Sequence, residues 1–253
     1  MHFEHLNAHF SMPETNTVEA SRPFTWVKRA WKDMFQHPVP SITWGILVSI
    51  VGWVLLSIGS AYPYLTTTMI TGFLLVAPIC AAGLYVLTSE TEKGNKISFW
   101  QSLDGLRKNF GQLALLGVFL GVIAIIWERI SAILFALFYQ ESVLSVDSMM
   151  TALTGEYATF SIIWLVAGFM LAVLVFMLTA FSIPMLADRE VDVITACMVS
   201  MRTVADNIPA MAIWGSIIVV LTAIGFATKL LGMILIFPLL AQATWVAYKD
   251  LVR

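Results

Sequence analysis

The sequence predicts an all-α, polytopic membrane bundle of six transmembrane helices, with three amphipathic helices lying along its cytoplasmic face. Three observations predict it. Apolar residues make up 59% of the 253-residue chain and charged residues only 12%, against roughly 45–50% and about 25% in soluble domains. The apolar surplus is gathered into runs of about twenty residues nearly free of charge, the length a helix needs to cross the hydrocarbon core. Lysine and arginine fall almost wholly in alternate connections between those runs. The net charge of −2 gives no electrostatic footprint for nucleic acid.

Residues 1–21 are polar and read as a flexible arm; 22–253 read as a single membrane domain. Residues 22–37 (RPFTWVKRAWKDMFQH) place Phe24, Val27, Trp31, Met34 and Phe35 at helical spacing with basic residues between them. That is the pattern of a helix lying in the membrane interface, one face in acyl chains and its cations among phosphates. The first span, 42–61, begins too far into the chain for a secretory signal peptide and is expected to stay as an anchor. A second span follows at 65–88. Residues 97–110 (ISFWQSLDGLRKNF) repeat the interfacial pattern ahead of a third span, 113–135. Glu128 and Arg129 interrupt it about 25 Å along from Gln112 at 1.5 Å per residue, near its far end, where they are expected to pair with each other. The fourth span is 160–184, the third amphipathic segment 191–207, and the last two spans are 210–226 and 230–248.

The connections set the orientation. Arg22, Lys28, Arg29 and Lys32 precede the first span; Lys93, Lys96, Arg107 and Lys108 separate the second from the third. Arg189 and Arg202 separate the fourth from the fifth, and Lys249 and Arg253 close the chain. The opposite side carries Glu141, Asp147 and Glu156 with a single Lys229. By the positive-inside rule both termini are cytoplasmic.

The three amphipathic segments also align. His37, Asn109 and Asn207 are each followed eight residues later by Gly45, Gly117 and Gly215, and Trp44 and Trp214 stand just before two of those glycines. Gly72 and Pro78 match Gly232 and Pro238 in spacing, and Pro184 sits late in the fourth span. This predicts a threefold parallel repeat with units at about 22–90, 97–189 and 190–253. Inverted repeats, frequent in secondary transporters, are not seen.

Charged and polar constellations are few. The stretch FSIPMLADREVDVITA (181–196) packs Asp188, Arg189, Glu190 and Asp192 into five residues directly after a span. Acidic residues at a helix start are stabilised by the unpaired amides and the dipole, and Asp188 or Asp192 would serve as N-cap. The cluster therefore reads as a membrane exit; a divalent metal would need further ligands from elsewhere. His2, His5 and His9 have a spacing compatible with a metal, but in a polar terminus. No histidine lies within a span and there is no C-x-x-C-H, so haem or copper ligation is not indicated, and no cofactor is expected. No serine, cysteine or threonine has a histidine evidently placed as its base, so the expectation is a protein that is not an enzyme. Cys80 and Cys197 read as two free thiols. Gly45, Ser49, Gly52 and Gly59 on the first span, and Ala114, Gly117, Gly121 and Ala124 on the third, form faces that let helices approach closely.

Gly72–Pro78 (GFLLVAP) running on to Ala82-Gly-Leu-Tyr85, Ser182–Arg189 (SIPMLADR) with Val191-Asp192, and Phe237-Pro-Leu-Leu with Ala243-Thr-Trp245 and Tyr248-Lys-Asp-Leu251 together resemble one bacterial family. That family is described as predicted integral membrane protein of unknown function, and some of its members are labelled cytochrome c oxidases. The resemblance covers residues 22–253 and implies a location in the bacterial inner membrane. In the family's last motif histidines often stand where this chain has Gln242 and Val246. The resemblance thus implies an accessory or assembly partner of a membrane complex, respiratory if the label holds, touching lipids, other subunits or copies of itself. The alternative is a channel or transporter for small solutes or ions built on parallel repeats. A third expectation is a lipid organiser acting through Lys28, Arg29, Arg107, Lys108 and Arg202.

Overall fold

The computed structural model describes residues 13–36, 38–62, 65–107, 110–138 and 158–253. Among them the chain forms eleven helices: α1 (Arg22–Met34), α2 (Pro38–Ala61), α3 (Thr66–Cys80), α4 (Ala82–Glu92), α5 (Phe99–Leu106), α6 (Phe110–Phe138), α7 (Ala158–Thr179), α8 (Ser182–Asp188), α9 (Val193–Asp206), α10 (Ile208–Ala227) and α11 (Met233–Leu251). Five segments are long and apolar enough to cross a membrane: Pro38–Ala61, Thr68–Glu92, Phe110–Leu134, Ala158–Asp188 and Ile208–Ala227. The architecture is an all-α polytopic membrane bundle with shorter helices gathered at the end where α1, α4, α8 and α11 leave their charged residues.

The sixth expected span, 230–248, folds as α11 and is not among those five. Gln242, Tyr248, Lys249 and Asp250 make it more polar than the others. It is instead the central post of the molecule. Phe237, Leu239, Ala241, Ala243, Trp245, Val246 and Tyr248 are all buried, because α1, α2, α4, α8 and α10 pack around the helix. A helix apolar on every side has to be enclosed, and here protein encloses it.

The tightest packing in that enclosure is glycine against backbone. Pro238 has no N–H, so the carbonyl of Ile234, one turn earlier, loses its helical partner. Gly45 of α2 lies directly on that carbonyl: a side chain built on Gly45 would collide with Ile234 O and C. The same device recurs at Gly83, whose missing side chain leaves room for the Trp44 indole. Gly52 faces Leu230 and Phe73, and Gly59 faces the backbone of Thr66, 3.1 Å from where a Cβ would stand. A Cβ at Gly117 would meet only the tip of Ile79, at 3.3 Å, and one at Gly121 would meet nothing among the described residues. Ser49 is buried, and its hydroxyl has no hydrogen-bond partner among the described residues.

Helix breaks are satisfied in different ways. Between α7 and α8 the Ser200 hydroxyl donates to Met177 O at 2.7 Å and accepts from Phe181 N at 3.0 Å, bridging the gap. Pro184 then falls in the first turn of α8, where its missing N–H costs little. Between α3 and α4 only Ala81 intervenes, still in helical conformation.

The amphipathic segments do not simply lie in lipid. α1 buries Trp26, Ala30 and Met34 against α11 and α10, with Trp26 edge-on to Trp214 at 6.0 Å. Met34, expected to share a lipid-facing stripe with Phe24, Val27, Trp31 and Phe35, turns inward; the helical period that brings Trp26 and Ala30 onto α11 carries Met34 with them. α5 starts with a capping box, Ser98 with Gln101, and Ser102 accepts from the Trp44 indole at 3.0 Å. α9 buries Val193, Ala196, Val199, Ser200 and Thr203. Residues 14–18, read from the sequence as part of a flexible arm, pair with the C-terminus through Asn16 N to Leu251 O at 2.8 Å and Arg253 N to Glu14 O at 3.0 Å.

Glu128 and Arg129, expected to pair, do not. Consecutive helical side chains point about 100° apart, and Arg129 is exposed while Glu128 Oε1 is buried with no hydrogen-bond partner among the described residues. Cys80 and Cys197 are both free thiols.

Gly45→Val should destabilise the protein in detergent by about 1–3 kcal/mol or more, the cost of overpacking, and Gly121→Ala should leave it within about 0.5 kcal/mol of wild type. Denaturant unfolding followed by tryptophan fluorescence measures both.

Candidate functional site

Two features sit at the axis of the bundle: a set of carboxylates that fasten the polar end of α11, and a cavity below it. Three helices each end near a carboxylate, and each carboxylate holds α11 or is held by it. Asp250, on α11 itself, takes both Arg22 Nε at 2.7 Å and Arg22 Nη2 at 2.9 Å, and also the Trp26 indole N–H at 2.9 Å. Glu92, the last residue of α4, accepts from the Trp245 indole at 3.1 Å and from Arg29 at 3.2 Å. Asp188, the last residue of α8, accepts from the Tyr248 hydroxyl at 2.9 Å and Lys249 Nζ at 2.6 Å. Lys249 in turn lies 4.8 Å above the Trp245 ring, a cation–π contact. Asp250 and its partners form a two-pronged ion pair, the strongest geometry available to a guanidinium and a carboxylate. The Arg22 guanidinium beside Asp250 holds that carboxyl below the usual carboxylate range, and the Trp26 N–H adds to the effect against partial burial.

The charge cluster singled out in the sequence is divided by the fold. Asp188 faces α11 and stays paired with Arg189 Nε at 3.7 Å, and Arg189 also reaches the C-terminal Arg253 carbonyl at 3.0 Å. Glu190 is exposed. Asp192 is the N-cap of α9, accepting from Thr195 N at 2.9 Å and Thr195 Oγ1 at 2.6 Å, and those bonds depress its pKa. Asn207 completes the polar end: its carbonyl accepts from Val18 N at 2.8 Å and its amide donates to Asn16 O and Thr203 O. The sequence reading assigned Glu92 and Asp250 no site role and used Asn207 only to align the repeat; their positions within a turn of a helix end were the available signal.

Below this end lies a cavity of about 200 Å³ between α3–α4, α7–α8, α10 and α11. Pro78, Ala180 and Phe237, at or next to the three helix breaks or kinks, all line it. Its walls are mostly apolar, with the Tyr85 phenol and the Thr179, Thr222 and Thr244 hydroxyls as its polar groups. Such a lining can hold a small neutral molecule or water; it carries no charged side chain with which to move a proton or attract an ion. Beside it, Gln242 donates to Ser41 Oγ at 2.9 Å, fully within the bundle.

Among the described residues no group of three or more His, Cys, Asp or Glu side chains is placed to hold a metal. His2, His5 and His9 lie outside the described residues.

Residues 65–188 match the model of a family described as predicted integral membrane protein (DUF2189). The match covers α3 to α8 and a little under half of the chain, and it carries the membrane description without any connection to an oxidase. No curated protein and no solved structure matches the chain. Together with the fold, the match describes a multi-pass, all-α membrane protein.

Because the folded pKa of Asp250 lies below its unfolded value, the stability it contributes is present at neutral pH and is lost as pH falls through the folded pKa. Asp250→Asn should lower the melting temperature at pH 7 and flatten its decline below about pH 4. Melting curves of both proteins between pH 3 and 8 test this; parallel curves would remove the carboxylate from the account.

Proposed function

We propose that this is a non-enzymatic protein of the bacterial inner membrane that acts by association, as an accessory or assembly partner of a larger membrane complex. The observation that carries this reading is the distribution of burial. Ala158–Asp188 is the most apolar of the five segments, yet no residue of its most apolar stretch is buried within the chain. The corresponding buried share is 22% for both Phe110–Leu134 and Ile208–Ala227, 33% for Pro38–Ala61 and 41% for Thr68–Glu92, so α7 is the segment the chain itself covers least. The α6–α7 pair packs on the rest of the bundle through α3, α8 and α9 and leaves the remaining faces of both helices open. It is held together internally by Trp127 against Trp164 at 5.6 Å and the Trp164 indole on Ser131 at 2.9 Å. In lipid, helices associate by close packing rather than by hydrophobic drive. The open side of α6 carries Gly111, Ala114 and Gly121, and around both glycines there is room for another helix.

We further propose six crossings in three parallel units, with both termini cytoplasmic. The order of elements supports this: α1, α2 and α3–α4; α5, α6 and α7–α8; α9, α10 and α11, each an amphipathic helix followed by two long ones, the last containing Pro78, Pro184 or Pro238. On that scheme α11 crosses despite its polarity because protein, not lipid, surrounds it.

The second reading, a conduit, has the central cavity in its favour. The hydroxyls that line it suit a small neutral solute and no ion.

Purification of the tagged chain at native expression in mild detergent distinguishes the two. Association predicts stoichiometric membrane subunits that are lost with Gly121→Leu while the variant's melting temperature stays unchanged. Recovery of the wild-type chain alone overturns it, and solute flux in liposomes then tests the conduit.

A further inference from the structure

An open groove of about 770 Å³ runs between α1 and α10. Val27, Lys28 and Trp31 of α1 form one wall and Ile213, Ile217 and Val220 of α10 the other. We propose that this groove is a binding site for one anionic phospholipid, its head group on Lys28 and an acyl chain lying along α10.

Charge comes first. Arg22 is matched by Asp250 and Arg29 by Asp33 and Glu92. Arg107 and Arg202 are likewise matched, by Asp104 and Asp206. Lys28 and Lys32, one turn apart on the outer side of α1, have no ion pair or hydrogen bond among the described residues. Of the basic residues expected to meet lipid together, the fold leaves Lys28 as the one at the mouth of an apolar groove with its charge unanswered. Lys108 lies outside the described residues.

Depth comes second. The α10 wall runs from Ala212 to Leu221, nine steps or about 14 Å at 1.5 Å per residue. That is close to half of the ~30 Å hydrocarbon core, the reach of a single leaflet. A soluble anion would use the lysine and leave the walls empty; a sterol or other neutral lipid would use the walls and leave the lysine unanswered. A phospholipid with net negative charge uses both.

The third point is access and level. Phe24, Trp31 and Phe35 are 62%, 49% and 52% exposed on the outer side of α1, and aromatic residues of this kind favour the head-group level. The inner side of the same helix is fixed to α11 through Trp26, Ala30 and Met34. The wall carrying Lys28 is therefore rigid and does not have to fold on binding, which lowers the ordering cost. The groove opens sideways, so a lipid enters from within the leaflet.

The test is native mass spectrometry of the purified full chain titrated with phosphatidylglycerol and, separately, phosphatidylethanolamine. The wild type should retain one phosphatidylglycerol in preference to phosphatidylethanolamine. Lys28→Gln should weaken the phosphatidylglycerol complex about fivefold, the effect of one lysine at an anionic surface, and leave phosphatidylethanolamine unchanged. Lys229→Gln, at the opposite end of the bundle, should change neither. Ser216→Trp, which places an indole in the groove, should abolish retention of both. The proposal is overturned if Lys28→Gln binds as the wild type does, or if Lys229→Gln weakens phosphatidylglycerol equally, since the effect is then surface charge alone. Lys28 is exposed, so its variant folds whatever becomes of Ser216→Trp.

Discussion

The close approach of α2 to α11, Gly45 against Ile234 one turn before Pro238, sets the centre of this bundle. Pro238 withdraws the hydrogen bond that Ile234 would otherwise receive, and a free carbonyl facing lipid is costly because the hydrocarbon offers no donor. The fold answers by closing α2 onto α11 at Gly45, so that Cα and backbone, rather than acyl chains, cover the oxygen. A contact between Cα–H and carbonyl is weak by itself, but it requires two helices to meet without a side chain between them. Once they do, α11 can be enclosed by α1 and α4 as well, and a helix carrying Gln242, Tyr248 and Lys249 becomes tolerable in the middle of an apolar assembly.

Enclosure then shapes the polar end. A buried helix must leave through a surface that satisfies its indoles, phenol and charges, and each neighbouring helix supplies one acceptor: α4 through Glu92 and α8 through Asp188, with α1 offering Arg22 and Trp26 to Asp250. Ion pairs as exposed as these contribute little singly. Their effect lies in direction: an indole N–H and a guanidinium meeting one carboxylate fix the rotation of α1 about its axis. That rotation sends Trp26, Ala30 and Met34 inward and leaves Lys28 and Trp31 outward, so the lipid-facing groove follows from the way α11 is fastened.

Much of this was legible in the sequence. Apolar runs of span length give most of the bundle, since length and lack of charge are enough to require a helix in lipid. The small-residue faces of α2 mark a close approach, and the acidic start of α9 gives its cap at Asp192. What the sequence withholds is partner choice. Helical periodicity shows that α1 is amphipathic but not that a second, equally apolar face meets protein, which is why Met34 changes sides. The 230–248 run shows a hydrophobic helix but not that it lies at the axis, because burial by protein and burial by lipid select similar side chains. Ser200 illustrates the limit: one hydroxyl on α9 bridges a break in another span, and no local pattern around either segment announces it.

The contrast between the two halves of the bundle argues for association over conduction. The half built on α1, α2, α4 and α11 is cross-tied at both backbone and side-chain level, and the cavity beneath it is bounded by Phe73, Trp214 and Phe237 without a charged group on its lining. A transporter alternates between two arrangements around its site, and a helix fastened by three carboxylates at one end and pressed onto glycine backbone at its proline has little freedom to supply the second. The α6–α7 pair differs: tied internally through its tryptophans, it rests on α3, α8 and α9 and is open on its outer faces. Rigid elements with an uncovered close-packing face lose little entropy when another helix lies down on them. A firm post carrying a stiff pair of helices with uncovered faces is the feature on which the proposed association rests.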